Sequence, residues 1–143
     1  MSTEENKALV RHYLDEGVNK GNVGIADELF APSFLFYFPG IPEPMNREGW
    51  AQTTTLFHSG FPNQHTVTDD MIADGDKVAA RFTFHGTQTG NFQGIPPTGK
   101  VVTVGGMAIW RIAGGKIAEH WVQFDVLGMM QQLGVIPAPG QAS

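Results

Sequence analysis

The chain has 143 residues with 9 Lys plus Arg, 14 Asp plus Glu and no Cys, which suits one domain whose core needs neither disulfides nor a structural metal. Without Cys there is no thiol nucleophile, disulfide framework or thiolate metal site, and a net charge of −5 with no basic cluster argues against a nucleic-acid partner. The longest apolar run is five residues, Phe34 to Phe38, far below the about 20 of a membrane helix, and Met1 to Asn6 lacks the features of a secretory signal; the expectation is a soluble, cytoplasmic protein with a small hydrophobic partner and no membrane partner.

Ser2 and Glu5 form a capping-box pattern, and Leu9, Val10, Tyr13 and Leu14 recur at helical spacing up to Gly17. After a turn at Asn19 to Asn22, Ile25, Leu29 and Phe30 predict a short second helix that stops before Pro32 and forms a hairpin with the first. Phe34 to Phe38 reads as a strand closed by Pro39 and Gly40, followed by a Pro-rich loop to Pro44. Asn46 caps a third helix from Arg47 to about Ser59.

From Gln64 the apolar period shifts towards 2, predicting strands over His65 to Ala73, Lys77 to Thr87, Val101 to Ile112 and Lys116 to Phe124 in a largely antiparallel sheet. Val126 to Leu133 reads as a helix ended by Gly134, and Pro137 to Gly140 as a tail. Helices followed by strands make an α+β fold. The 18 glycines, about twice the average share, include Gly105 and Gly106 inside a strand, where glycine marks bending, a bulge or a close approach. A curved, mostly antiparallel sheet wrapped on N-terminal helices leaves one central pocket between them.

Common catalytic motifs are missing. None of Ser2, Ser33, Ser59 and Ser143 sits in a Gly-x-Ser-x-Gly elbow, the five His lack metal-ligand spacing, and no Gly-x-Gly-x-x-Gly or Walker loop precedes a helix. What remains is Glu119 to Asp125 with Gln88 and the strand aromatics. Alternation puts Trp121, Gln123 and Asp125 on one face of the last strand and His120, Val122 and Phe124 on the other, so both sets cannot face one pocket without a bulge. Asp125 is the acid/base candidate if desolvated among apolar residues; the competing and locally favoured reading is the N-cap of the helix at Val126. His120 is a base or hydrogen-bond donor, or a half-buried strand histidine. Gln88 orients a ligand carbonyl or simply ends a strand. Trp50, Phe82, Phe84, Phe92, Trp110 and Trp121 line a pocket for a flat apolar ligand or fill the core. Arg81 and Arg111 have Asp76 and Glu119 available as surface partners.

The ordered patterns Phe82-x-x-x-Gly-Thr-Gln-Thr-Gly90, Gly94-Ile-Pro-Pro-Thr-Gly99, Trp110-Arg-Ile-x-x-Gly-Gly-Lys-Ile117, Glu119-His-Trp121 and Asp125 to Gly134 resemble the SnoaL-like, polyketide-cyclase-related branch of the nuclear-transport-factor-like superfamily, over nearly the whole chain. The resemblance implies a cone of helices on a curved sheet, a deep pocket, a homodimer, and acid/base ring closure of polyketide esters with no cofactor and no metal. It matches Asp125 to an Asp before the terminal helix, but places Val122 and about Ala108 where the characterised aromatic-polyketide cyclases carry their acid/base Asp and helper His. Gln88 stands where many relatives have His. The leading expectation is cofactor-independent aldol-type cyclisation or isomerisation of an apolar carbonyl compound, with Asp125 and His120 catalytic and Gln88, Trp50, Phe82, Trp110 and Trp121 binding substrate. The alternatives are a non-catalytic hydrophobic-ligand protein and a water-activating hydrolase of epoxide type.

Overall fold

A computed structural model describes residues 2–137, so the expected tail lies outside the described residues beyond Pro137. Helix α1 spans Thr3–Tyr13, and both bonds of its predicted capping box are present between Ser2 and Glu5. The helix does not stop at Gly17 but runs on as a π-helical segment, Leu14–Asn19. The second predicted helix is a 3₁₀ turn, Val23–Ile25, leading into the single turn of α2, Ala26–Leu29. Phe30, expected to close that helix, instead opens strand β1, Phe30–Tyr37. Pro32 is tolerated there because β1 is an edge strand and its register slips between Phe30 and Leu35, so the missing N–H breaks no regular ladder.

Helix α3, Arg47–Gly60, begins at Asn46, whose side chain accepts from Gly49 N. Strands β2, His65–Asp74, β3, Lys77–Thr87, β4, Val101–Ala113, and β5, Lys116–Phe124, match the alternation to within a residue. Helix α4, Val126–Leu133, ends on Gly134 in the left-handed region (φ 82°). The sheet order is β1-β5-β4-β3-β2, antiparallel except for the β1–β5 pair, which is parallel. Among the described residues no helix is long and apolar enough to cross a membrane.

One apolar cluster joins the N-terminal helices to the sheet through Val10, Tyr13, Phe30, Trp50, Trp110 and Ile117. A second packs α4 against β4 and the loop after β3, through Met129, Leu133, Val102, Phe61 and Phe92. Gly106 lets the strands close up on the inner side: a Cβ there would lie 2.5 Å from the Phe82 ring and 2.7 Å from the Gln123 carbonyl oxygen. Gly105 meets no such neighbour within 4 Å, so the close approach belongs to Gly106 alone.

The outer face carries a polar cluster in which Arg111 Nε donates to Glu119 (2.6 Å) and Tyr37 Oη donates to the same carboxylate (2.9 Å). The Arg111 bond, more than any other contact, holds the Glu119 carboxyl below its ordinary value. Arg81 pairs with Asp69 across β2 and β3 rather than with Asp76, which lies near Lys77.

Candidate functional site

Between α1, α3 and the inner face of the sheet lies a cavity of about 130 Å³, open on one side. Its wall is mostly apolar, with Phe36, Phe57, Phe82, Phe84, Val104 and Phe124 among the lining residues. That space is close to the ~150 Å³ of an engineered cavity that takes benzene, so about one ring fits within it.

The polar centre of the cavity is built by three elements. Strand β5 directs His120, Val122 and Phe124 to the cavity side, as its alternation requires. Tyr13, on the last turn of α1, sets its hydroxyl 3.2 Å from His120 Nδ1. Trp50, in the first turns of α3, donates its indole Nε1–H to Tyr13 Oη at 2.8 Å. Trp110 lies opposite His120 in the β4–β5 register and stacks on the imidazole, centroids 4.8 Å apart and planes 21° apart. Its own Nε1–H is buried with no partner among the described residues.

Burial governs the electrostatics of this centre. His120 is 6% exposed and Tyr13 is 1% exposed. Loss of hydration disfavours the imidazolium and pulls the His120 pKa down to about 3, while it pushes the Tyr13 phenol well above its ordinary value. Both groups are therefore neutral around pH 7. Among the described residues no Asp, Glu, Lys or Arg lines the cavity, and no group of three or more His, Cys, Asp or Glu is placed to hold a metal ion.

The residues singled out from the sequence divide sharply. Trp50, Phe82, Trp110 and His120 line the cavity; Gln88, Trp121 and Asp125 do not. Asp125 is exposed and caps α4, its Oδ1 accepting from Gly128 N at 2.8 Å. Of its two sequence readings the cap is the one realised, because β5 ends at Phe124 and the chain turns into α4 before another inward position arises. Gln88 is fully buried but spent on its own loop: the two Nε2 hydrogens are shared among the carbonyls of Ile95 (3.0 Å), Gly90 (3.2 Å) and Pro96 (3.2 Å), and Oε1 accepts from Thr98 Oγ1 (2.7 Å). It organises the β3–β4 connection and has no group left for a ligand carbonyl. Trp121 stacks on Tyr37 outside the cavity, centroids 5.2 Å apart, and Phe92 sits in the second apolar cluster.

Tyr13 is the site residue that sequence reasoning missed. Its helical spacing marks a buried face, and a buried tyrosine hydroxyl needs a polar partner; that requirement was the available signal, but it does not name a partner 107 positions away.

Comparison with known proteins agrees with this architecture. The family model for the SnoaL-like polyketide cyclase matches residues 8–133. The chain is 30% identical over 119 residues to aklanonic acid methyl ester cyclase DnrD of Streptomyces peucetius, covering 79% of this chain and 82% of that protein. It is 31% identical over 131 residues to aklanonic acid methyl ester cyclase DauD of Streptomyces sp. strain C5, covering 88% and 80%. Among solved structures it aligns with TsrD from Streptomyces laurentii at a TM-score of 0.82 and 30% identity, covering 95% of this chain and 99% of that one. Since the family match runs from α1 through the last residue of α4 and so takes in every strand and cavity-bearing helix, the chain belongs to the SnoaL-like polyketide cyclase family.

Proposed function

We propose that this protein is a cofactor-independent enzyme for aldol-type cyclisation or isomerisation of an apolar carbonyl compound such as a polyketide ester, with His120 at the reacting oxygen. The observation that carries the reading is a single buried hydrogen-bond chain, Trp50 to Tyr13 to His120, set in a mostly apolar cavity whose other polar lining is uncharged, Thr53, Thr54, Gln64 and Thr66. A donor fixed in a water-poor pocket stabilises an enolate oxygen far better than bulk water does. The carbon next to the carbonyl loses its proton to water at the open side, and the enolate oxygen accepts a hydrogen bond from the imidazole. The nucleophilic carbon then attacks a second carbonyl carbon, and the alkoxide formed takes up a proton from water. The product is an isomer of the substrate. Trp50, Phe82 and Trp110 supply the apolar surface against which the ligand packs.

The test uses the compound named in the two cyclase relatives. Incubated with aklanonic acid methyl ester or simpler polyketide methyl esters, the protein is expected to yield a product of unchanged mass and altered chromatographic retention. Formation of that product at the protein-free rate across the series would remove the reading.

A second reading, a non-catalytic hydrophobic-ligand protein, draws on one specific feature. Val122 and Ala108, the positions at which the resemblance puts the characterised cyclases' acid/base pair, both line this cavity and are both apolar. Recovery of bound ester, unchanged after many binding cycles, supports it. The hydrolase reading needs a carboxylate to activate water, and none of the described residues that line the cavity is one.

A homodimer belongs to the same proposal. The outer sheet face exposes Val67, Ile72, Met107 and Ile109, and paired copies remove such a face from water. Sedimentation at micromolar concentration is expected to show twice the 15.5 kDa chain mass; a species of the chain mass alone excludes the dimer.

A further inference from the structure

The chain of hydrogen bonds at His120 admits one consistent placement of its protons. An indole N–H can only donate, so Trp50 donates to Tyr13 Oη. The phenol has one hydrogen of its own, and its acceptor among the described residues is His120 Nδ1. With a proton on Nδ1 instead, two donors would converge on Tyr13 Oη and the buried phenol hydrogen would have no acceptor, an arrangement that native interiors avoid. A neutral imidazole that accepts at Nδ1 carries its hydrogen on Nε2. No described residue bonds Nε2, and His120 lines the cavity.

We propose that Tyr13 and Trp50 are positioning residues that hold His120 as its Nε2–H tautomer, so that the polar end of the cavity is a hydrogen-bond donor selecting ligands with an oxygen acceptor, a ketone, ester carbonyl or enolate. The inference rests on the cavity being the site of a carbonyl compound, as above, and adds to it the direction of the hydrogen bond. Neutrality of the imidazole, enforced by burial, is consistent with it. An ammonium or other obligate donor finds no acceptor at that position.

Long-range proton–nitrogen correlation spectra of the imidazoles in the ligand-free full chain test the tautomer without any turnover, with His120→Leu assigning the signal. The expected pattern has Nε2 protonated and Nδ1 bare. In Tyr13→Phe, loss of the phenol donor is expected to shift the Nδ1 resonance and populate the Nδ1–H form. A protonated Nδ1 in the unmodified chain, or an unchanged pattern in Tyr13→Phe, overturns the proposal; the unmodified chain decides it by itself if the variant does not fold.

The ligand class is tested with acetophenone and α-methylstyrene, which share a shape and differ in one acceptor. The ratio of their affinities is expected to fall by about tenfold in His120→Leu relative to the unmodified protein, and an unaltered ratio overturns the selection. Absence of turnover with every ester bears on the cyclase reading alone, whereas a protonated Nδ1 beside intact turnover removes this inference and leaves that reading in place.

Discussion

Replacing His120 with Leu is expected to lower kcat on a carbonyl substrate by about 10²–10³-fold, the loss that follows removal of one oxyanion-type donor, or about 2.7–4 kcal/mol of barrier. The imidazole is the polar end of the Trp50–Tyr13–His120 chain, and Leu fills much the same space without a donor. The substitution leaves the buried Tyr13 hydroxyl without its acceptor, at a cost of about 1–3 kcal/mol, which a domain of ordinary stability, about 5–15 kcal/mol, survives. Single-turnover rates, with circular dichroism to verify folding, make the check. A kcat within about threefold of the unmodified protein would falsify the role given to His120. Asp125→Ala is the informative contrast. It removes the α4 cap, so it is expected to cost about 0.5–2 kcal/mol of stability and to leave the rate within about twofold, since Asp125 is exposed and lies outside the cavity.

Acid is expected to destabilise the fold through the same residue, at up to about 1.4 kcal/mol per pH unit. Burial holds the folded-state pKa of His120 at about 3, whereas the unfolded chain titrates near the ordinary 6.5. Between these values the unfolded state binds the extra proton, so stability falls as pH falls through that window; it is fully present above 6.5 and has no more to lose from this residue below about 3. The rings packed on His120 are Tyr13, Phe36 and Trp110, and none brings a charge that would rescue the imidazolium. Urea unfolding at pH 6.5 and at pH 5 isolates the effect, because Glu119, whose folded pKa is lowered, loses its contribution only at lower pH, as acid protonates it. The unmodified protein is expected to lose about 1.6 kcal/mol over that interval beyond whatever His120→Leu loses. Parallel pH profiles for the two proteins would show that His120 is hydrated in the folded state.

Features set by a few neighbouring residues were legible in the sequence. Ser2 with Glu5, Asn46 and Gly134 mark helix ends because cap geometry is satisfied within four residues. The alternation of His120, Val122 and Phe124 survives into the structure because a pleated strand has a period of two. Their resemblance to one family pointed to the same curved sheet and central pocket. Tertiary structure decided the rest. Phe30 joins β1 instead of a helix because a parallel partner, β5, arrives from the far end of the chain. Asp125 caps α4 and Gln88 binds its own loop, although both residues bear chemistry that suits a site. Tyr13, legible in the sequence only as part of a helix's apolar face, becomes the partner of His120 across 107 positions. Local propensities choose elements and their faces, but a buried polar atom is satisfied by whichever group the folded core brings within about 3 Å, and that choice is made by packing between residues distant in the chain.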